Sequence, residues 1–276
     1  MSGVRYPEGT GHELVRIRSG ALAVRSREVA EVMHPGVGPV AEAEALYVRQ
    51  SRLAERLREG GAPLVLYDVG LGAGSNALAA WATAEAAPES SRRLVMISFE
   101  RDLGALTLAL TEGASFGFTA EAVTAAQALL TTGQHETART SWQLRPGDLR
   151  AALSIEPTQA DIVFWDPFSP RANPELWTVA AFAAVRARAA PGATLFTYSA
   201  STAVRAALLL TGWAVGVGDA IGDKAETTAA AVRADDLARP LDATWLKRLG
   251  LPGAPWPVDA PAGAFDLVRA LPQFSG

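Results

Sequence analysis

The stretch "DIVFWDPFSPRANPELW" (161–177) is where chemistry is easiest to place. An apolar run with the composition of a buried strand stops at Asp166, and Pro167, Phe168, Ser169 and Pro170 follow at once. A carboxylate at the C-terminal mouth of a core strand lies where open α/β sheets bind their ligands. Pro167 stiffens the turn beside it, and Phe168 offers a ring face to a base or a cation. The plainer reading makes Asp166 a turn or helix-cap residue.

A second group precedes it. "LVLYDVGLGAGSNALAAW" sets Gly70, Gly72 and Gly74 between a strand and a helix, with Asp68 just before them and Asn76 just after. Glycines there let the backbone turn tightly and approach a ligand, whose polar groups can meet the free N–H groups of the helix start. The spacing is G-x-G-x-G; the third glycine of the dinucleotide-binding pattern is replaced by Ser75, which argues against a nicotinamide cofactor. Glu100 ends the next strand, where an acid can take two ribose hydroxyls. Asp148, in "RPGDLR", follows the third strand, where an acid can accept an adenine amino group. A tight turn with solvated acids at its flanks is the alternative.

The elements that would position these groups alternate. "LVRIRSGALAVRS" (14–26) reads as a hairpin around Ser-Gly. "VAEAEALYVRQSRLAERLREGG" (40–61) has helical spacing, with Leu46, Leu53 and Leu57 on one side. Seven strands follow, in "PLVLYDVG", "RRLVMISFE", "SWQLRPGD", "ADIVFWD", "ATLFTYSA", "WAVGVGD" and "TTAAAVRAD", with helices between. That pattern predicts an α/β fold with a mainly parallel seven-stranded sheet. We expect an N-terminal hairpin and helix extension over 1–60, the main domain over 61–236 with a helical insert at about 102–138, and a loop-like, Pro-rich tail over 237–276.

Composition narrows the chemistry. The 276 residues include no cysteine, which removes disulfides, thiolate metal sites and cysteine nucleophiles. The three histidines, His12, His34 and His135, are too scattered in sequence to suggest a metal cluster, so no metal is expected. A net charge of −4 gives no global attraction to nucleic acid. A local basic face around Arg16, Arg18, Arg25, Arg27, Arg49, Arg52, Arg56 and Arg58 is one candidate docking surface. The first twenty residues lack the apolar core of a signal peptide and no window is apolar enough to span a membrane, so the cytoplasm is the expected location.

Three acids and a glycine loop at successive strand ends resemble an S-adenosylmethionine-dependent methyltransferase of Rossmann-like fold. "DPF" resembles the acid/Asn-Pro-Pro-aromatic corner of methyltransferases that act on exocyclic amines. More narrowly, "DVGLGAGSNAL", "SFE" (98–100), "PGD" (146–148), "DPFSPRANPELWT" (166–178), "PGATLFTYSA" (191–200) and "GDKAE" (222–226) resemble, in order, the methyltransferase of tRNA 5-methylaminomethyl-2-thiouridine synthesis, the MnmC type. Pro167 stands where that family usually has glycine, and Ala225 where it has a basic residue.

The resemblance implies transfer of a methyl group from S-adenosylmethionine to the aminomethyl nitrogen of a modified tRNA wobble uridine. Asp166 would be the catalytic acid. Glu44 (or Glu42, two residues away), Asp68, Gly70, Gly72, Gly74, Asn76, Glu100, Asp148, Asp166 and Pro167 would hold the cofactor. Phe168, Tyr198, Ser199 and Lys224 would meet the substrate, with Trp177 a core or lid anchor. The family is often fused to a flavin-dependent oxidase for which this chain has no room, so a separate enzyme supplying the amine is expected. The absent cysteine agrees with transfer to nitrogen or oxygen, since pyrimidine ring-carbon methylation commonly needs a thiolate. A small-molecule N- or O-methyltransferase, an aminopropyl transferase of the same fold and a non-catalytic cofactor-binding module are the alternatives.

Overall fold

The computed structural model describes residues 11–222 and 224–274. Expectations that fall on residues 1–10, on Asp223 within "GDKAE" or on the last two residues lie outside the described residues.

The chain opens with the hairpin β1 (His12–Arg16) and β2 (Leu22–Ser26), a separate two-stranded sheet. The helical stretch after it is broken in two. Helix α1 (Pro39–Ala43) runs into a π-helical segment (Glu44–Arg49), and α2 (Leu53–Arg58) starts only after Arg52 adopts a left-handed φ of 55°. Leu46, Leu53 and Leu57 are all buried, as their spacing predicts. The wider π turn shifts the faces of the segment and buries Tyr47 as well.

The large sheet has eight strands, one more than the sequence suggested, in the order β5-β6-β4-β3-β7-β8-β10-β9. Its central members are β3 (Leu64–Val69), β4 (Leu94–Glu100), β6 (Thr140–Pro146), β7 (Ala160–Trp165) and β8 (Ala189–Thr197), paired in parallel. The extra strand, β5 (Gln134–Glu136), is three residues long and antiparallel to β6. Too short to carry a period, "QHE" gave no strand signal. At the other edge β10 (Thr227–Ala231) pairs antiparallel with β8 and with β9 (Ala214–Gly218).

Helices cover both faces. One core lies under α2, α3 (Ser75–Glu85), α4 (Gly104–Thr111), the short α5 (Gly113–Phe116) and α6 (Ala120–Thr132); the other lies under α7 (Leu149–Ile155), α8 (Val179–Arg186) and α9 (Thr202–Leu210). Strand β3 is buried at all six positions because it sits between these two layers. The tail is not the loop its prolines suggested. It carries α10 (Ala243–Leu249) and α11 (Ala264–Arg269), whose Trp245, Leu249 and Val268 enter the second core. It is also tied by polar groups. Asp259 accepts the backbone N–H groups of Val179 and Ala180 at the start of α8, and the Gln273 amide pairs with both backbone groups of Val215 on edge strand β9.

From β3 the chain moves through β4 to β6, then returns to the far side of β3 as β7 and β8. The reversal point lies between β3 and β7, and at such a point the loops leaving two neighbouring strands diverge and leave a crevice.

Candidate active site

The crevice is a cavity of about 690 Å³ at the C-terminal ends of the parallel strands. That suits a ligand the size of a nucleoside derivative with part of a second molecule. Its walls come from five places: the turn after β3, the ends of β4 and β6, the Asp166 turn after β7, the loop between β2 and α1, and Tyr198 with Lys224.

Backbone packing fixes the β3 turn against the β7 turn. The Asp166 N–H donates to Val69 O at 2.9 Å. Gly70 has a φ of 85°, and a Cβ there would lie 2.8 Å from both Asp166 O and Pro167 N. Glycine is therefore required on two counts, conformation and space. Gly72 has a φ of 52° and faces Met33 Sδ. Gly70 to Ala73 line the cavity, whereas Gly74 caps α3 and packs on Leu106.

The acids separate into groups that face the cavity and groups that support it. Glu100 lines it, and its carboxylate accepts the N–H groups of Gly72, Arg101 and Asp102. A carboxylate has about four acceptor sites, so one remains for a ligand hydroxyl where two were expected. Burial raises the Glu100 pKa against those three donors. Asp148 lines the cavity while capping α7 through Ala151 N–H. Asp68 lies beneath the glycine turn, fully buried, and accepts from Ser98 Oγ, which in turn accepts from Trp142 Nε1. Burial pushes its carboxyl up to about 7. Asp68 is a strut under the turn and not part of the cavity wall.

Asp166 reaches the cavity with its side chain only 12% exposed. Its Oδ2 accepts from Asn76 Nδ2 at 2.6 Å, so Asn76 holds the acid and does not itself line the cavity. Burial pushes the Asp166 carboxyl up to about 6, opposed by the side chains of Tyr47 and Asn76 and the charge of Lys224. Pro167 and Phe168 line the same wall. Trp177 is buried and donates through Nε1 to Phe168 O at 2.8 Å, which pins the turn. Tyr198 crosses behind, donating to Pro167 O, and Lys224 Nζ lies 4.3 Å from its ring centre. Ser199 is elsewhere: it is buried, accepts from Ser201 N–H and lines only a shallow depression outside the cavity.

Glu44 does not line the cavity, but Glu42 does. Two residues along a helix are about half a turn apart, so only one of the pair can face inward. Glu42 is 6% exposed, burial raises its pKa, and its Oε2 has no hydrogen-bond partner among the described residues.

Sequence reasoning missed the loop between β2 and α1, where "EVMHPG" has no periodicity. Glu31 accepts from Ser169 N and Oγ and pairs with Arg171, tying this loop to the β7 turn. His34 enters the cavity with a left-handed φ of 53°. Its Nδ1 is 3.9 Å from Glu42 Oε2 and its Nε2 3.6 Å from Asp166 Oδ2. The expected basic docking face is divided: Arg25 and Arg27 pair with Glu13, while Arg56 donates to Thr194 and Asp161 at the opposite end of the strands.

Residues 116–233 match the family model of S-adenosyl-L-methionine-dependent methyltransferases. The tRNA 5-methylaminomethyl-2-thiouridine biosynthesis bifunctional protein MnmC of Methylibium petroleiphilum is 32% identical over 224 residues, covering 79% of this chain. That of Ralstonia nicotianae is 30% identical over 235 residues, covering 82%. MnmC2 from Aquifex aeolicus superimposes with a TM-score of 0.72 at 26% identity, over 95% of this chain and 85% of that one. The chain is an MnmC-type methyltransferase domain. It spans about a third of the curated relatives, 34% of each of the two bifunctional proteins. A spermidine synthase shares the fold alone, with a TM-score of 0.51 at 11% identity over 95% of this chain and 80% of that one. The cavity fits the cofactor of an MnmC-type domain: a glycine turn, Glu100 and Asp148 line one wall at successive strand ends.

Proposed function

We propose that this domain methylates the aminomethyl nitrogen of a modified uridine at the tRNA wobble position, using S-adenosylmethionine, in the cytoplasm. The observation that carries this reading is Asp166, a largely buried acid on the cavity wall beside the glycine turn, on the motif shared with the MnmC resemblance. A separate enzyme would supply the amine.

S-adenosylmethionine supplies an electrophilic methyl group on a sulfonium. Glu100 and Asp148 would accept ribose and adenine hydrogens, and the N–H groups of the glycine turn would meet the amino-acid end. Asp166 and the Pro167 turn would hold the amine hydrogens, with Phe168 against the base. An alkyl amine has a pKa near 10 and attacks only when neutral, so the residues around Asp166 must orient it and remove a proton. Eight acids line the cavity against Arg101 and Lys224, a field that favours a cationic acceptor over an anionic one.

The test is incubation with labelled S-adenosylmethionine and bulk tRNA from cells lacking the wobble-amine methyltransferase. Label at the wobble uridine, lost in Asp166→Ala, supports the proposal. Tight cofactor binding without label in tRNA refutes the substrate.

A further inference from the structure

His34 presents chemistry that the Asp166 turn does not supply. It is one of three non-glycine residues with a left-handed φ among the described residues, and such strain persists where the surroundings enforce it. Its side chain is 10% exposed and lies between two carboxylates, Glu42 and Asp166. Both separations exceed direct hydrogen-bonding distance.

The neutral ring has two tautomers, and one of them opens a base toward the cavity. With its proton on Nδ1, toward Glu42, the ring turns the Nε2 lone pair toward Asp166 Oδ2. Nε2 and Oδ2 are then two acceptors 3.6 Å apart that cannot bond to each other. A donor with at least two N–H groups satisfies both, and a primary ammonium has three.

We propose that His34 Nε2 takes the proton that the acceptor ammonium must lose before methyl transfer, and that Glu42 is the positioning residue that holds the resulting imidazolium. This rests on the amine reading above. One N–H bond of the ammonium breaks and one N–H bond forms at Nε2, leaving a neutral amine whose lone pair is free. When the nitrogen–methyl bond forms, the carbon–sulfur bond breaks and its electron pair stays on sulfur, so the sulfonium charge passes to the product ammonium. His34 then returns its proton to solvent.

Asp166 is less suited to store that proton, because the Asn76 amide donating to its Oδ2 favours the charged carboxylate. Its anionic form instead attracts the ammonium to the ring. Burial lowers the His34 pKa, Glu42 raises it and Lys224 lowers it, which keeps the imidazole neutral and able to accept at neutral pH. The other titratable groups around this corner are Tyr47, whose hydroxyl bears on Asp166, Tyr198 behind the β7 turn, and Glu31, which is engaged with Ser169. Burial keeps both tyrosines protonated at neutral pH, and the Glu31 carboxylate is occupied by Ser169 and Arg171.

The test has two arms. In the first, methyl transfer is followed against pH for the wild type and for H34N, chosen because asparagine tolerates a left-handed φ. General-base removal predicts a loss of about 100-fold near pH 7. The deficit should shrink about tenfold per pH unit toward pH 9, as solvent deprotonates the amine instead. An H34N profile parallel to wild type overturns the proposal.

In the second arm, nitrogen NMR follows the His34 imidazole in the protein without cofactor, assigned by its disappearance in H34N. E42Q should lower its pKa, and 5-aminomethyluridine should shift the Nε2 resonance. A ring indifferent to both overturns the proposal. If the wild type labels no tRNA, the proposed substrate fails, and this second arm still decides the role of His34 with the nucleoside alone.

Discussion

Gly70→Ala tests whether the contact between the β3 and β7 turns holds the site. The added Cβ would lie 2.8 Å from Asp166 O and from Pro167 N, both backbone atoms, and ordinary contact begins at 3.4 Å. The turns must therefore separate by about 0.6 Å, the difference of those two distances. Overpacking of this kind costs about 1–3 kcal/mol. The left-handed φ adds roughly 1–2 kcal/mol for a residue with a Cβ. Gly133→Ala is the control, because its φ is 77° and a Cβ there meets nothing within 4 Å. The control carries only the conformational cost, so the two variants differ by the contact alone. At roughly 2–4 °C per kcal/mol for a chain of this size, Gly70→Ala should melt some 2–12 °C below Gly133→Ala in a thermal scan. Displacing Asp166 by a fraction of an ångström should also lower kcat/KM about tenfold, since misplacement by 1 Å can cost about 100-fold. If the two variants melt together and Gly70→Ala keeps full activity, the account of the switch point is wrong.

Asp68→Asn should stabilise the protein in a pH-dependent way. Burial raises the Asp68 pKa from 3.8 to about 7, so between those values the folded state binds a proton that the unfolded chain has released. Stability from this group is complete below about pH 4 and declines until about pH 7, so denaturant melts should show an advantage for the variant that grows to the order of 4 kcal/mol by about pH 8 and vanishes in acid. Asn76→Ala removes the 2.6 Å donor to Asp166 and should raise that acid's pKa above about 6, moving the acidic limb of the pH–rate profile upward with roughly tenfold lower activity at pH 7. Trp177→Phe keeps the buried ring but loses the bond to Phe168 O; acceptor KM should rise while calorimetric binding of S-adenosylhomocysteine stays unchanged. Asp259→Ala leaves the Thr178 cap of α8 but removes the acceptor of the Val179 and Ala180 N–H groups, and should cost about 0.5–2 kcal/mol with no change in cofactor affinity.

The parts of the site read from sequence are those where local rules act alone. Gly70, Glu100, Asp148 and Asp166 sit at ends of strands whose apolar runs announce themselves, and strand ends in a doubly wound sheet meet along one edge. What stayed hidden depends on contacts distant in sequence. Asp68 and Asn76 carry motif residue types, but only packing shows that one braces the glycine turn and the other braces Asp166. Ser199 lies outside the cavity, its hydroxyl accepting from Ser201 N–H and its backbone carbonyl from Thr228 Oγ1. Between Glu44 and Glu42 the register alone cannot choose, because the helix phase that turns Glu42 inward comes only with the folded segment. His34 lies in a loop with no period, 132 positions before the acid it faces, and no local rule connects the two.

The fused turns at the reversal point also bear on how such a site can diversify. Val69, Gly70, Asp166 and Pro167 share backbone contacts, so a change in one turn is felt in the other. Variation there would disturb the donor and the acceptor of the methyl group together. Two other walls meet those turns through side chains: the loop bearing Met33 and His34, tied by Glu31 to Ser169, and the one bearing Lys224, both in segments outside the central strands. New acceptor preferences in this lineage should therefore accumulate in those two loops, and a library aimed at changing the substrate should begin there, leaving the shared turns as a constant chassis.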